Sequence, residues 1–386
     1  MTGRIAFRFI HAGDFQLGQV PYGLPDLPDG IREQLLDAPF TAAERVFDAA
    51  VKHQADFVLL VGELVSNVSG NLPSPQATTF LAEQFERLNH EGIGVYLAAD
   101  SSWPDWCGLP PNVHQVNDTQ GIVASTRGRQ PAARISRQAE FQHTNDRGMG
   151  FDILVTGRNQ SLGRNPNDID YVAGVGNEAA GQVSSDGVNS DPRIWSSGTP
   201  QGQHINSRSQ HGCLVVDVNE ANTADVRFVN TAPVGWAVEH VPVSGSDDVG
   251  TVVARMKSRL TQLALDSGHD CILVDWILDF DGSVNGHLIC DSGFQQLLEQ
   301  VQRFNQFGET QICSIDVRAN DAGQILVNAE PDCALLNDFI QLAGQAVRID
   351  AGRMELQRVP GLASDTLTAT QTTESRIVSH GFDLLG

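Results

Sequence analysis

Three apolar runs that each end in an acid constrain this chain more than anything else in it. Phe7-Arg8-Phe9-Ile10-His11-Ala12-Gly13 leads into Asp14, Phe57-Val58-Leu59-Leu60-Val61-Gly62 into Glu63, and Gly94-Val95-Tyr96-Leu97-Ala98-Ala99 into Asp100. Short, nearly continuous apolar segments of this kind read as strands buried on both faces. Helical signals separate them. Thr41-Ala42-Ala43-Glu44 has the form of a capping box, and Phe40, Ala43, Phe47, Ala50 and Val51 then share one helical face. Ser74-Pro75 supplies an N-cap and a first-turn proline for a helix to about Asn89. Repeated β-α-β units with polar residues after the strand ends imply an α/β domain whose site lies at those C-terminal edges.

Past residue 110 the pattern becomes strand-rich. Strands are expected over Gly121 to Ser125, Asp152 to Thr156, Asp170 to Ala173, Arg193 to Ser197, Gly212 to Val218 and Ala224 to Asn230. Residues 158–169 and 181–192 read as loops from their composition. From Trp236 onward a β-α-β-α-β pattern suggests a small separate module: strand Val238 to Val243, helix Asp248 to Ala264, strand Cys271 to Phe280, helix Gly293 to Phe304 and strand Gln311 to Val317. The expected divisions are 1–235, 236–330 as a cap domain, and 331–386 as a helix from Cys333 to Gln345 followed by a flexible Thr- and Ser-rich tail.

With 25 Lys and Arg against 47 Asp and Glu, the formal charge is -22. Binding to nucleic acid draws on cations that displace phosphate counterions, so this balance argues against a free-standing DNA enzyme. One local basic cluster, Arg127, Arg129, Arg134 and Arg137, runs against the trend. The six cysteines show no C-x-x-C pair and no zinc spacing; Cys213, Cys271 and Cys313 sit in apolar runs, as buried thiols of a reducing compartment do. No apolar stretch approaches the ~20 residues of a membrane span. Arg4 and Arg8 interrupt the first apolar run, so no signal peptide is expected and the protein is expected to be cytoplasmic.

Three stretches, in this order and spacing, carry a family resemblance: Phe9-Ile10-His11-Ala12-Gly13-Asp14, Ala55-Asp56-Phe57-Val58-Leu59-Leu60-Val61-Gly62-Glu63-Leu64, and Gly198-Thr199-Pro200-Gln201-Gly202-Gln203-His204 followed by the Gly212 to Val218 strand. They resemble the calcineurin-like metallophosphoesterases, and within them the DNA-repair exonuclease branch that includes the nuclease subunit of SbcCD-type complexes. The resemblance covers about residues 5–320. It implies a four-layer α-β-β-α metallophosphoesterase-like sandwich with a small α+β cap domain.

The resemblance also implies a two-metal site, built by Asp and His of a first motif, a bridging Asp, the Asn and His of a Gly-Asn-His-Asp motif, and later histidines. Two metals about 3.5–4 Å apart polarise a phosphate and generate hydroxide. At the matching positions Asp14 is retained, and Gln16 stands for His. Glu63 stands for the bridging Asp, Asp100 for the Asn, and Ser101 for the catalytic His. Thr156 falls where another His is due, and Asn177 and Ala179, around Glu178, fall in the last motif, either in this register or shifted by one residue. His11, His143, His204 and His211 match no ligand position. Loss of a general acid typically costs ~10²–10⁴-fold in rate.

The resemblance, so altered, implies a catalytically inactive relative that needs no cofactor and acts as a scaffold or regulatory subunit. Its implied partner is a coiled-coil SMC-like ATPase or an active nuclease paralogue, and a homodimer is also compatible. An alternative is a divergent phosphodiesterase or exonuclease in which Asp14, Glu63, Asp100 and Glu178 hold Mg²⁺ or Mn²⁺ through oxygen atoms. A third reading has Gly62 and the Gly174 to Gly181 loop presenting backbone N–H groups to an anion without cleaving it.

Overall fold

A computed structural model describes residues 4–19, 27–68, 72–99, 103, 107–116, 121–137, 150–156, 169–174, 180–184, 190–204, 207, 210–266, 268–281 and 291–320. The expected Cys333 to Gln345 helix and the tail lie outside these residues. In chain order β1 (Phe7–Gly13) is followed by α1 (Asp29–Lys52), β2 (Phe57–Gly62), the short pair β3 (Asn67–Val68) and β4 (Leu72–Pro73), α2 (Pro75–His90), β5 (Gly94–Ala99) and β6 (Val113–Gln115). Next come β7 (Ile122–Ser125), β8 (Pro131–Ser136), β9 (Asp152–Thr156), β10 (Tyr171–Gly174), β11 (Gly181–Ser184), β12 (Ser190–Ser196), β13 (Gly212–Val218) and β14 (Ala224–Asn230).

Apart from β3 and β4, which pair with each other, these strands make two six-stranded sheets, ordered β14-β13-β1-β2-β5-β6 and β11-β12-β10-β9-β8-β7. In the first, β1, β2, β5 and β6 run parallel and β13 returns antiparallel beside β1. In the second, β8, β9, β10 and β12 are parallel. Side-chain alternation decides what each face meets. Ile10, Ala12, Val58, Leu60, Val95 and Leu97 pack with Val46, Phe47, Leu81 and Phe85 of the two helices. The opposite face of the same strands, led by Phe7, Phe9, Phe57, Leu59 and Tyr96, meets Ala133, Ile153, Val155 and Tyr171 of the second sheet. Helices, first sheet and second sheet therefore form three successive layers, and the described residues place only Leu154, Val172 and Ile194 with Ile169 as a small apolar cluster beyond them.

Two local expectations are corrected. The Thr41 box does not start a helix: α1 begins at Asp29 and runs through Pro39. The stripe Ile31, Leu35, Ala38, Ala42, Val46 and Ala49 is buried along its whole length, and that burial holds the helix together where Pro39 removes one N–H donor. Residues 181–192 are not all loop either, because β11 pairs antiparallel with β12. That ladder is irregular between Gln182 and Ser184, and the irregularity falls opposite the segment that holds Pro192, which has no N–H to give. Residues 158–168 lie outside the described structure. Ser74 behaves as expected, its hydroxyl accepting from the Ala77 N–H at the start of α2.

The chain divides into two compact units. The first falls within Met1–Ala237, Asp266–Leu273 and Glu309–Gln311, the second within Val238–Leu265, Val274–Gly308 and 312–320. The remaining elements are β15 (Val234–Val243), α3 (Val249–Asp266), β16 (Cys271–Phe280), α4 (Asp291–Val301), β17 (Gln306–Phe307) and β18 (Thr310–Ala319), with sheet order β15-β16-β18-β17. Asp248 caps α3 through the Thr251 N–H, and Val252, Met256 and Leu260 are buried along it. Buried Asp275 is neutralised by Arg318 at 2.6 Å, and the fully buried Trp276 donates to Ser314 Oγ at 3.0 Å. Cys213 and Cys271 are buried and Cys313 half-buried, and none of the three is in a disulfide; burial pushes the Cys213 thiol up to about 12. Among the described residues no helix is long and apolar enough to cross a membrane.

Candidate functional site at the strand ends

Parallel pairing lines up the C-terminal ends of β1, β2 and β5. Gly13 lies opposite Val61, and Gly62 lies opposite Ala99. The contact at Gly13 is very close: a Cβ there would come within 2.5 Å of the Val61 carbonyl oxygen and side chain. Beyond Gly13 the chain does not leave the sheet. Asp14 N–H donates to Val61 O, Gln16 N–H to Glu63 O, and Leu17 N–H to Leu64 O, so residues 14–17 track the extension of β2. Asp14 and Gln16 both adopt left-handed backbone, at φ 48° and 49°. Such conformations are costly for most side chains, less so for Asp, and persist where surrounding hydrogen bonds over-determine them.

Asp14 is 3% exposed, and its Oδ1 accepts the Glu63 backbone N–H at 3.0 Å. A buried carboxylate must have such a partner, and this bond pins the two strand-end loops to each other. Glu63 itself is half-buried directly after β2. The structure therefore brings Asp14, Gln16 and Glu63 together. Thr156 ends β9 in the second sheet, opposite Gly174 of β10. Asp100, Ser101, Asn177, Glu178 and Ala179 lie outside the described residues.

Asp14→Asn keeps an acceptor for the Glu63 N–H and a residue tolerant of left-handed backbone, whereas Asp14→Ala keeps neither. Urea unfolding should find the Asn variant within about 1 kcal/mol of wild type and the Ala variant about 2–3 kcal/mol less stable. Equal losses in both would mean that the charge, not the acceptor, holds the loop.

His11 and His211 have structural partners. His11 is fully buried between the sheets, with Nδ1 2.9 Å from the Tyr171 hydroxyl, and among the described residues Nε2 has no hydrogen-bond partner. Burial lowers its pKa to about 3. His211 is also buried, its Nε2 donating to Ser207 O at 3.1 Å and its Nδ1 2.9 Å from Thr199 Oγ1. It braces the 198–204 stretch, in which Gln201 bonds both Val234 N and Val234 O, and a Cβ on Gly202 would strike His211, Ser207 and Trp236. This stretch is a packed clasp. His143 lies outside the described residues.

The basic cluster is also dispersed by the fold. Arg134 pairs with Asp152 at 2.7 Å, and Arg127 donates to the Glu91 carbonyl at 2.7 Å. Arg137 alone of the four is shown reaching the strand ends. It follows β8 of the second sheet, and its Nη1 donates to Ala99 O at 2.6 Å, at the tip of β5 in the first sheet. The sequence marked Arg137 only as one basic residue among four, and no pattern in it announces this crossing.

A pair of transition-metal ions, as the resemblance implies, draws heavily on imidazole nitrogen. The described strand-end donors are a carboxylate bonded to backbone, a second carboxylate, an amide and a hydroxyl, and among the described residues no three His, Cys, Asp or Glu form a metal-holding group. These donors do not fit such a pair.

Parallel strands whose ends present acids, backed by two helices and a second sheet, frame this candidate site. No protein-family model matches the chain. It is 25% identical over 303 residues, 70% of its own length and 73% of the relative's, to a Bacillus subtilis (strain 168) protein named uncharacterized metallophosphoesterase YhaO. Among solved structures it is similar to TT1561 of Thermus thermophilus, with TM-score 0.31 and 12% identity over 58% of this chain and 99% of that one. It is likewise similar to Yfce, a phosphoesterase from E. coli, with TM-score 0.26 and 12% identity over 58% of this chain and all of that one, 100%. Those two likenesses are too slight to carry a fold assignment.

Proposed function

We propose that this protein is a degenerate, non-hydrolytic member of the metallophosphoesterase class, in its DNA-repair exonuclease branch, and serves as a scaffold or regulatory subunit. The observation that carries the reading is the use made of Asp14. Its carboxylate ties one strand-end loop to the backbone of the next, beside Gln16 and Glu63, where a metal pair would require imidazole and an accessible carboxylate. The packing that positions a site persists while the donors at it have changed. The full four-layer sandwich and a cap built from the second unit belong to the same proposal. So does a protein partner, an SMC-like ATPase or an active nuclease paralogue, which suits a net charge of -22 better than a polyanion does.

The opposing reading, hydrolysis with oxygen-only ligands, has one observation in its favour: Asp14 and Glu63 do lie side by side. Calorimetry on chelator-stripped protein with Mn²⁺ and Mg²⁺, alongside a phosphodiester hydrolysis assay, separates the two. The scaffold reading expects at most weak, millimolar-range binding and no turnover with either ion. Micromolar binding that disappears in Asp14→Ala, together with turnover, would establish the hydrolase instead.

A further inference from the structure

We infer that β14 is a docking edge for a second copy of this chain, which pairs with it antiparallel about a two-fold axis through Val226. The inference goes beyond the reading of the strand-end site and does not depend on it. Open sheet edges invite pairing, and most chains blunt them with short strands, bulges or proline. Three of the four edges of the two large sheets are blunted in this way. β6 has three residues, and β7 and β11 have four each with a break in register. β14 differs. It runs for seven residues in unbroken register with β13, carries neither glycine nor proline, and among the described residues no strand lies on its other side.

Backbone alternation limits how a second strand can join. Asn219 N–H donates to Thr223 O at one end of the β13–β14 ladder, and Thr231 N–H to His211 O at the other. Bonded positions alternate along an antiparallel pair. Asp225 and Arg227 therefore turn their backbone groups toward β13, and Ala224, Val226 and Phe228 turn theirs outward. Charge then chooses among the registers those outward groups permit. Centring on Asp225 sets that acid against its own copy, and centring on Arg227 sets two guanidinium groups together. Centring on Val226 places Asp225 of each copy opposite Arg227 of the other, in the non-bonded class of pair where side chains approach most closely. It also sets Ala224 opposite Phe228, on the face that packs toward the second sheet. Asp225 and Arg227 are both exposed. Arg227 already meets Asp217 of its own chain at 2.7 Å, and its fork has donors to spare for a second carboxylate. The contact is self-complementary, so it closes at two copies.

The test is sedimentation velocity of the full-length chain over a concentration series at physiological ionic strength, where repulsion between two chains of net charge -22 is screened beyond ~8 Å. Wild type should exchange reversibly between monomer and dimer at micromolar concentrations, as suits a single strand pair. Arg227→Asp and Asp225→Arg should each weaken the dimer at least about tenfold, because each sets like charges opposite one another. Mixing the two variants should restore it, since the acidic edge of one then faces the basic edge of the other. The double swap Asp225→Arg/Arg227→Asp in one chain should restore it too. Restoration also shows that the variants fold. A wild type that stays monomeric through the series, a dimer indifferent to these charges, or single variants that no mixing or swap rescues would overturn the inference and leave the reading of the strand-end site untouched.

Discussion

Lowering the pH from about 7 to about 3 should cost the fold roughly 4–5 kcal/mol through His11 alone. Folded, the ring is sealed between the sheets against Tyr171, and its pKa is lowered from 6.5 to about 3 by burial. Unfolded, it titrates near 6.5. Between those values the unfolded chain binds a proton that the folded chain refuses, so acid favours unfolding. The contribution is whole above about pH 6.5 and shrinks by about 1.4 kcal/mol per unit on the way down. Carboxylates titrate over part of the same range, so the measurement must be differential. Urea unfolding of wild type and of the double variant His11→Leu/Tyr171→Phe, which removes both polar partners together, isolates the term. The gap between the two should move by several kcal/mol in favour of the double variant as the pH falls. Parallel pH profiles would show that His11 is protonated in the folded state.

Phe57→Ala should be the most damaging apolar truncation in the first unit. The ring is fully buried, stacks on Phe9 at 5.0 Å with 5° between planes, lies 5.9 Å from Phe7, and meets Tyr96 edge-on at 5.3 Å. Removing it takes a large apolar group from the layer that joins the two sheets and leaves a cavity that rigid strands cannot close. A loss of about 3–5 kcal/mol is expected, a large share of the 5–15 kcal/mol typical of a domain. Leu265→Ala is the control: with 81% of that residue exposed, the loss should stay within about 0.5 kcal/mol. A loss under about 1 kcal/mol for Phe57→Ala would mean that the sheets pack loosely at this point.

The parallel strands were legible because burial on both faces demands unbroken apolar runs, and Phe57-Val58-Leu59-Leu60-Val61 admits little else. Ser74-Pro75 was legible for a local reason, since cap and first-turn proline act within one turn. The start of α1 was misread because the Thr41 box is a local signal, overridden by an apolar stripe that extends back to Ile31 through a proline. The β11–β12 pair was hidden by Gly, Ser and Pro, residues that an edge ladder tolerates and that composition assigns to loops. At the site, the sequence located Asp14 and Glu63 because each directly follows an apolar run. It did not show that the two bond through backbone, nor that Arg137 crosses between sheets. Both depend on pairing across 49 and 38 residues, which periodicity does not encode.

The hydrogen bond from Glu63 N–H to the Asp14 carboxylate changes what an aspartate at that place signifies. It gives the residue a purely architectural reason to be there, independent of any ion or substrate. A search that scores this acid alone as a mark of reactivity scores a residue whose place the backbone already explains, because its most recognisable letter is also a rivet. The informative letters are the neighbours under no such obligation, Gln16 first among them.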